Sequence, residues 1–362
     1  MDACCENKEI VEQKVVHPFK IPNGTALRLR TNFAWMNIFL TFDYELFFGP
    51  ETGTVEKCMI EPTKRLLELA GKNVRMVFFV DVGFLVAMER YVVQYPEMGS
   101  VLNKVRFQVK QLVDLGHDVE LHIHPHWEKV QYVDGKWVID AMGSYRMNDF
   151  SADEQNQLFN TYKSYLDELV GYKTSAYRAG GWCIQPFHPM KDLFLSEGIK
   201  FDSSVMPGVK YESEHYKFDF SRAPGKCSYR FDTDVLVEET DGPFTELPIS
   251  TWKYTPSFFW NLYVRGRMAP SRHKMIGDGQ FIPQPGRKKQ GLTSGALNHV
   301  SCDGYYASVL LKSYKSFIKQ GRENMVIIGH PKGMTEYSFA ALESFINEVR
   351  KEASFKTFKD LS

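Results

Sequence analysis

Between Gly116 and Trp127 the chain reads GHDVELHIHPHW, a stretch that holds four of its ten histidines. In a strand, residues two and four apart share a face. The run DVELHIH therefore sets His122, His124 and His126 on one side until Pro125 bends the chain. A bend there lets two imidazoles converge on one ion, and neutral imidazole nitrogen suits zinc and its neighbours. A solvated strand end whose histidines pair with carboxylates would show the same spacing, so further ligands must be found. TFDYE, after the strand-like NIFL, places Asp43 and Glu45 two apart. Two carboxylates at a strand end can divide labour, one holding a metal and the other acting as a base. Beside a histidine pair they complete a set of two imidazoles and a carboxylate with open positions, an arrangement used by catalytic metal sites. Spacing leaves open whether His122 pairs with His124 or with His126. His117, behind a glycine, reads as structural; His188, His215, His273 and His299 read as surface or structural.

The elements that must position these groups alternate between strand and helix. Strands are expected at 36–42, 74–80, 117–124 and 199–205, and in MVIIGH near the end of the chain. Helices are expected at 61–69, 101–115, 151–169, 190–197, 305–319 and 338–351. Pro62 suits the first turn of the first of these, Gly116 the end of the second, and Ser151 to Glu154 form a capping box for the third. Residues 128–150 interrupt the rhythm with two alternating runs around Asp134-Gly135, a type I′ hairpin signal. A β-rich stretch at 215–252 and an irregular one at 253–300 follow. Short strands alternating with helices predict a parallel sheet with helices outside, as an open layer or a closed barrel. In both, ligands sit at the carboxyl ends of strands. Asp43, the 122–126 histidines and His330 all fall at such ends.

Bulk properties narrow the function classes. At 362 residues, with 44 basic and 44 acidic side chains, the chain has no global charge that would argue for nucleic acid. No run of about 18 apolar residues suggests a transmembrane helix, and MDACCENKEIVEQK lacks the pattern of a secretory signal. The six cysteines contain no CxxC pair and fit buried thiols in a reducing compartment. The expectation is a cytoplasmic protein: an N-terminal extension at 1–30, one catalytic domain at 31–352 with insertions at 128–150 and 253–300, and a C-terminal tail at 353–362.

At this point the motifs resemble a family. GHDVELHIHPH is similar to the second motif of the NodB-homology polysaccharide deacetylases (carbohydrate esterase family 4). TFDYE resembles that family's opening Thr-Phe-Asp motif, YRAGGW the third, FDSSV and the ELP of FTELPIS segments that follow in one branch, and IIGHP the fifth. They occur in family order across about residues 36–335. The resemblance implies a distorted (β/α) barrel carrying a β-hairpin insertion and a basic irregular insertion. It further implies metal-dependent removal of an acetyl group from an N-acetylated sugar or polysaccharide precursor. Asp43 would be the general base, and Glu45, His122 and His126 the ligands of a divalent metal, zinc above cobalt, nickel or manganese. His330 would be the general acid. Arg178 would hold Asp43, with Asp202 behind it, and Gly180, Gly181 and Trp182 would form the oxyanion and substrate turn. Four positions depart from the pattern: Glu45 replaces an aspartate, Gly180 and Gly181 stand where proline and tyrosine are common, and Gly329 precedes His330 where a larger apolar residue often shapes the acyl pocket. Other small amides, such as an N-formyl sugar or a cyclic imide, and a catalytically silent carbohydrate-binding protein are the competing expectations.

One segment lies outside this pattern. Residues 253–290 carry eight basic side chains against the single acid Asp278, with YTPSFFWNLY at their start. A solvated loop would suffice to explain them. A lid that recognises a phosphate-bearing or acidic sugar, or contact with an anionic membrane bearing a lipid-linked substrate, would use them.

Overall fold

The computed structural model describes residues 35–140, 143–213, 217–284 and 286–361. Its centre is a nine-stranded sheet: β1 (Met36–Tyr44), β2 (Val77–Asp81), β3 (Asp118–Ile123), β4 (Ala176–Ala179), β5 (Phe201–Asp202), β6 (Tyr229–Phe231), β7 (Phe244–Glu246), β8 (Asn324–Gly329) and β9 (Ala353–Phe355). Neighbours run β6-β7-β5-β4-β3-β2-β1-β8, and β9 pairs with the start of β1. Every pairing from β7 to β8 is parallel; only β6 with β7 is antiparallel. The sheet curls into a half barrel with helices outside. Strands covered on both faces should read as continuous apolar runs, and every residue of VFFVD in β2 is buried.

The sheet does not close by a regular strand between β7 and β8. Backbone from two loops spans the gap instead: Ser250 N–H donates to the Val326 carbonyl (3.0 Å), Val300 N–H to Ser250 (2.7 Å) and Ile328 N–H to Val300 (3.1 Å). Outside, helix Met98–Asp114 buries Leu102, Val105, Val109 and Leu112 on one stripe, each such side chain stabilising the fold by roughly 1.5–3 kcal/mol. Helix Ala152–Val170 starts with the expected capping box at Ser151 and Glu154. The expected hairpin pairs Gln131–Val133 with Lys136–Val138. Asp134 (φ 51°) and Gly135 (φ 78°) both take the left-handed conformation that a type I′ turn requires.

Three expectations change. Residues 253–300 are not irregular: they hold helices Pro256–Met268, Pro270–His273 and Arg287–Ser294, and strand Ala296–His299 paired with Thr251–Tyr254. The start signal was present, since Thr255 accepts from Phe258 N–H and Pro256 occupies the first turn. Dense charge and the Pro and Gly nearby hid it. Residues 353–361 are not a tail, because β9 extends the sheet and Phe358 plugs its lower end, with rings of Phe39, Phe79 and Phe201 5.6–5.9 Å away. The strand expected at 199–205 is regular only over Phe201–Asp202, because the Ser203 and Ser204 side chains divert the chain into hydrogen bonds of their own. The extension expected at 1–30 lies outside the described residues.

Candidate metal centre and catalytic cleft

The parallel strands bring their carboxyl ends together. β1 delivers Asp43 and, just past its end, Glu45; β2 ends in Asp81; β3 delivers His122 and then His124; β4 carries Arg178; β5 ends on Asp202; β8 leads to His330. None of these eight residues is more than 9% exposed. Burial at this level demands a partner for each charge, and the partners can be named.

Arg178 donates to Asp43 Oδ1 at 2.6 Å and to Thr41 Oγ1 at 3.0 Å. Its other donors reach the Ser203 carbonyl (2.8 Å) and Ser203 Oγ (3.1 Å), and its plane lies 4.1 Å from the Phe79 ring centroid. Burial pushes the Asp43 carboxyl up, but Arg178, with His122 and His330, outweighs it and holds the group below its ordinary value. Glu45 behaves alike. Burial opposes its charge, and Lys332 (2.8 Å to Oε1), His124 (2.8 Å to Oε2) and His122 (3.1 Å to Oε2) hold it well below the carboxylate range. Asp81 has no cation bonded to it among the described residues; burial lifts it to about 8, and Trp127 Nε1 donates to it at 2.6 Å.

The expected ligand set meets a local surprise. Glu45, His122 and His124 offer donor atoms that all lie within 4.8 Å of one another. His126 is not among them. β3 ends at Ile123, and Pro125 opens a 3-10 turn that carries His126 past the cleft, against Tyr145 with ring centroids 5.7 Å apart. Both His126 ring nitrogens are buried without a hydrogen-bond partner among the described residues. His122 accords with a ligand role: its Nδ1 sits 2.7 Å from the Arg178 carbonyl, which leaves Nε2 facing Glu45, the outer support that metal-binding imidazoles ordinarily have. The donor set, one carboxylate oxygen and two imidazole nitrogens, fits a divalent ion such as zinc.

His330 is fixed by a residue that the motifs did not supply. Asp303 accepts from His330 N–H at 2.8 Å, and its other oxygen lies 2.7 Å from His330 Nδ1. Nε2 then points inward, 3.7 Å from Asp43 Oδ2 and 3.9 Å from Glu45 Oε1. Burial opposes the imidazolium, but Asp303 more than offsets it and raises the pKa of His330. Lys332 was also missed. It is 2% exposed, and its ammonium bonds Glu45 and the Leu46 carbonyl.

Asp202 does not contact Arg178 through a hydrogen bond. It accepts from Ser204 N–H (3.0 Å) and Ser204 Oγ (2.8 Å), and Ser204 Oγ in turn accepts from Ala179 N–H (2.9 Å). Asp202 thus braces the turn at Gly180–Trp182, while Ser203 holds Arg178. Its neighbour Glu246 is pushed well above the carboxylate range by burial and by the Asp202 charge. In the turn, a Cβ on Gly180 would stand 2.6 Å from His124 Nδ1, so glycine is what lets that imidazole in. Gly181 (φ 57°) and Trp182 (φ 62°) are both left-handed, costly for a tryptophan and a sign of functional constraint. Gly329 has a packing reason, since a Cβ there would lie 2.3 Å from Cys302 Sγ.

These groups floor a cavity of ≈690 Å³. Its floor includes Asp43, Glu45, His122 and His330; Trp182, Tyr305 and Tyr306 form aromatic walls; Arg267, His273 and Arg287 line it from the insertion.

No family model matches the chain, and no curated protein matches it. Solved structures do. A protein described as a polysaccharide deacetylase from Mycobacterium smegmatis superposes with a TM-score of 0.50 at 16% identity, covering 91% of this chain and 90% of that one. A Pseudomonas aeruginosa PAO1 protein described as a polysaccharide deacetylase gives 0.46 at 14% identity, covering 91% and 90%. The Puue allantoinase gives 0.48 at 12%, covering 91% and 90%. With the strand order and the ordered motifs already in hand, the first of these superpositions establishes the architecture: the chain has the fold of the NodB-homology polysaccharide deacetylases.

Proposed function

We propose that the protein is a divalent-metal-dependent hydrolase that removes the acetyl group from an N-acetylated sugar. The observation that carries this reading is the convergence, at the end of one sheet, of a carboxylate paired with Arg178, three donor side chains spaced to hold an ion, and an imidazole hydrogen-bonded to Asp303. Asp43, held ionised by Arg178, takes a proton from the attacking water. His330, charged through Asp303, returns a proton to the departing amine nitrogen, the step that makes an amine able to leave. Backbone N–H groups in the Gly180–Trp182 turn receive the developing oxyanion, a role worth roughly 3 kcal/mol per fixed donor. Glu45, His122 and His124 hold the ion. When bound, it supplies Lewis-acid polarisation of the carbonyl and a more acidic water.

Arg267 and Arg287 on the cavity wall support a substrate with an anionic substituent, such as a phosphate-bearing precursor. Neither has a carboxylate partner among the described residues. The test is metal content and acetate release measured together. Wild type loaded with zinc or cobalt should release acetate from N-acetylhexosamine substrates, and more efficiently when they bear phosphate. His122→Ala and His124→Ala should leave the site empty, whereas His126→Ala should retain the ion. Formate release from N-formyl sugars in place of acetate would assign the acyl group differently. An ion lost with His126 but kept without His124 would overturn the ligand set.

A further inference from the structure

Helix Pro256–Met268 turns two faces to two different environments. Phe258 and Phe259 are buried, and Leu262, Tyr263, Gly266 and Arg267 line the cavity. The remaining apolar residues point outward: Trp260 is 57% exposed, Val264 46% and Met268 80%. They are spaced four apart, so each advances only about 40° around the helix and the three form one stripe. Single exposed apolar side chains are ordinary; a contiguous stripe led by a tryptophan is not.

The charge of the segment that carries the stripe says what covers it. Residues 253–290 hold Lys253, Arg265, Arg267, Arg272, Lys274, Arg287, Lys288 and Lys289. None of the eight forms an ion pair among the described residues. Arg265, Arg272 and Lys288 lie over tyrosine rings instead. The one acid, Asp278, is occupied by the Thr54 N–H and hydroxyl, at 2.7 and 2.9 Å. An apolar stripe with tryptophan, on a segment of exposed basic side chains that have no carboxylate partner among the described residues, matches the headgroup and acyl boundary of an anionic bilayer, where apolar side chains bury and basic ones meet phosphate. A second copy of this chain would bring the same cations against these, which opposes self-association through the stripe.

We infer that helix Pro256–Met268 docks the protein on an anionic membrane surface, with Trp260, Val264 and Met268 inserted and the flanking basic residues on the headgroups. The same helix walls the cavity, so docking sets the cavity mouth beside the bilayer, where a lipid-linked substrate would be presented. The docking itself does not depend on the hydrolytic reading.

Co-sedimentation with vesicles of phosphatidylglycerol and phosphatidylcholine, against phosphatidylcholine alone, tests it. Wild type should bind the anionic vesicles and release as salt rises. The combined variant Trp260→Ser, Val264→Ser, Met268→Ser should bind roughly tenfold or more weakly. Lys274→Gln, Lys288→Gln and Lys289→Gln together should cost roughly fivefold per charge at low salt. Should the apolar variant misfold by circular dichroism, quenching of wild-type tryptophan fluorescence by brominated lipid, diminished in Trp260→Phe, carries the same information. Equal binding of wild type to both vesicle types, or to neither, overturns the proposal. So does a wild-type dimer that the serine variant renders monomeric, since the stripe would then belong to a second copy.

Discussion

The strand-end cluster and the 253–290 segment treat charge in opposite ways. In the cluster each ion has a partner at close range: Asp43 with Arg178 at 2.6 Å, Glu45 with Lys332 at 2.8 Å, His330 with Asp303 at 2.7 Å. In the segment no cation is paired among the described residues. Solvation explains why both are tolerated. A lone charge buried at the end of the barrel would cost several kcal/mol, so the cluster exists only as an assembled set. Exposed cations are hydrated and cost little to leave unpaired. Preassembly serves chemistry, because groups already oriented need no rearrangement as charge develops. Unpaired surface charge serves encounter with something outside the chain.

The largest effects should come from breaking the cluster. Asp43→Asn keeps the side-chain shape but removes both the proposed base and the counterion of Arg178. Turnover should fall roughly 10²–10⁴-fold, and the melting temperature should drop as well, since Arg178 is left with neutral acceptors only. A variant with full activity would remove Asp43 from the chemistry. Lys332→Met comes next. It strands the Glu45 carboxylate in the protein interior, and the loss should be about 3–5 kcal/mol in denaturant unfolding of the metal-free protein. Added divalent ion should restore part of it, because the ion then answers the charge that Lys332 had answered. Unchanged stability without metal would mean that Glu45 does not carry its charge there.

Asp303→Asn is a smaller and more diagnostic break. Asp303 raises the pKa of His330 against the opposing effect of burial. The imidazolium is therefore complete below the ordinary histidine value of about 6.5 and is lost as pH rises through the elevated one. Removing the carboxylate should move the alkaline limb of the kcat profile to lower pH and lower kcat at neutral pH by roughly tenfold, within the range that one acid–base group contributes. A limb that stays in place would assign it to another group.

How much of this was legible beforehand follows from what determines each residue. The strand ends could be read because buried parallel strands announce themselves as apolar runs, and Asp43, Glu45, the 122–126 histidines and His330 stand directly after them. That His124 rather than His126 faces Glu45 could not be read. It depends on how the chain turns at Pro125 and on whether Gly180 leaves room for a ring, a contact across 56 residues of sequence. Lys332 and Asp303 were hidden for the same reason. Lys332 lies two residues past a recognised histidine, a usable signal, but only the fold shows its ammonium turned inward onto Glu45. Asp303 comes from a loop that no motif marks and becomes visible when Val300–Cys302 is seen bridging to β8. The helices in the basic segment have a readable start in Thr255-Pro256, masked by the dense charge and the Pro and Gly residues that follow it.

The smallest expected effect sharpens the comparison from the other side. Lys288→Gln with Lys289→Gln removes two exposed cations that have no carboxylate partner among the described residues. Stability should stay within about 0.5 kcal/mol of wild type, as for ordinary surface substitutions. Acetate release from a neutral, water-soluble substrate should likewise be unchanged, because neither residue lines the cavity. A drop in stability as large as that of Lys332→Met would mean that these side chains are held by the fold after all. The contrast between a charge set closed on itself and one left open to the surroundings would then fail at its simpler end.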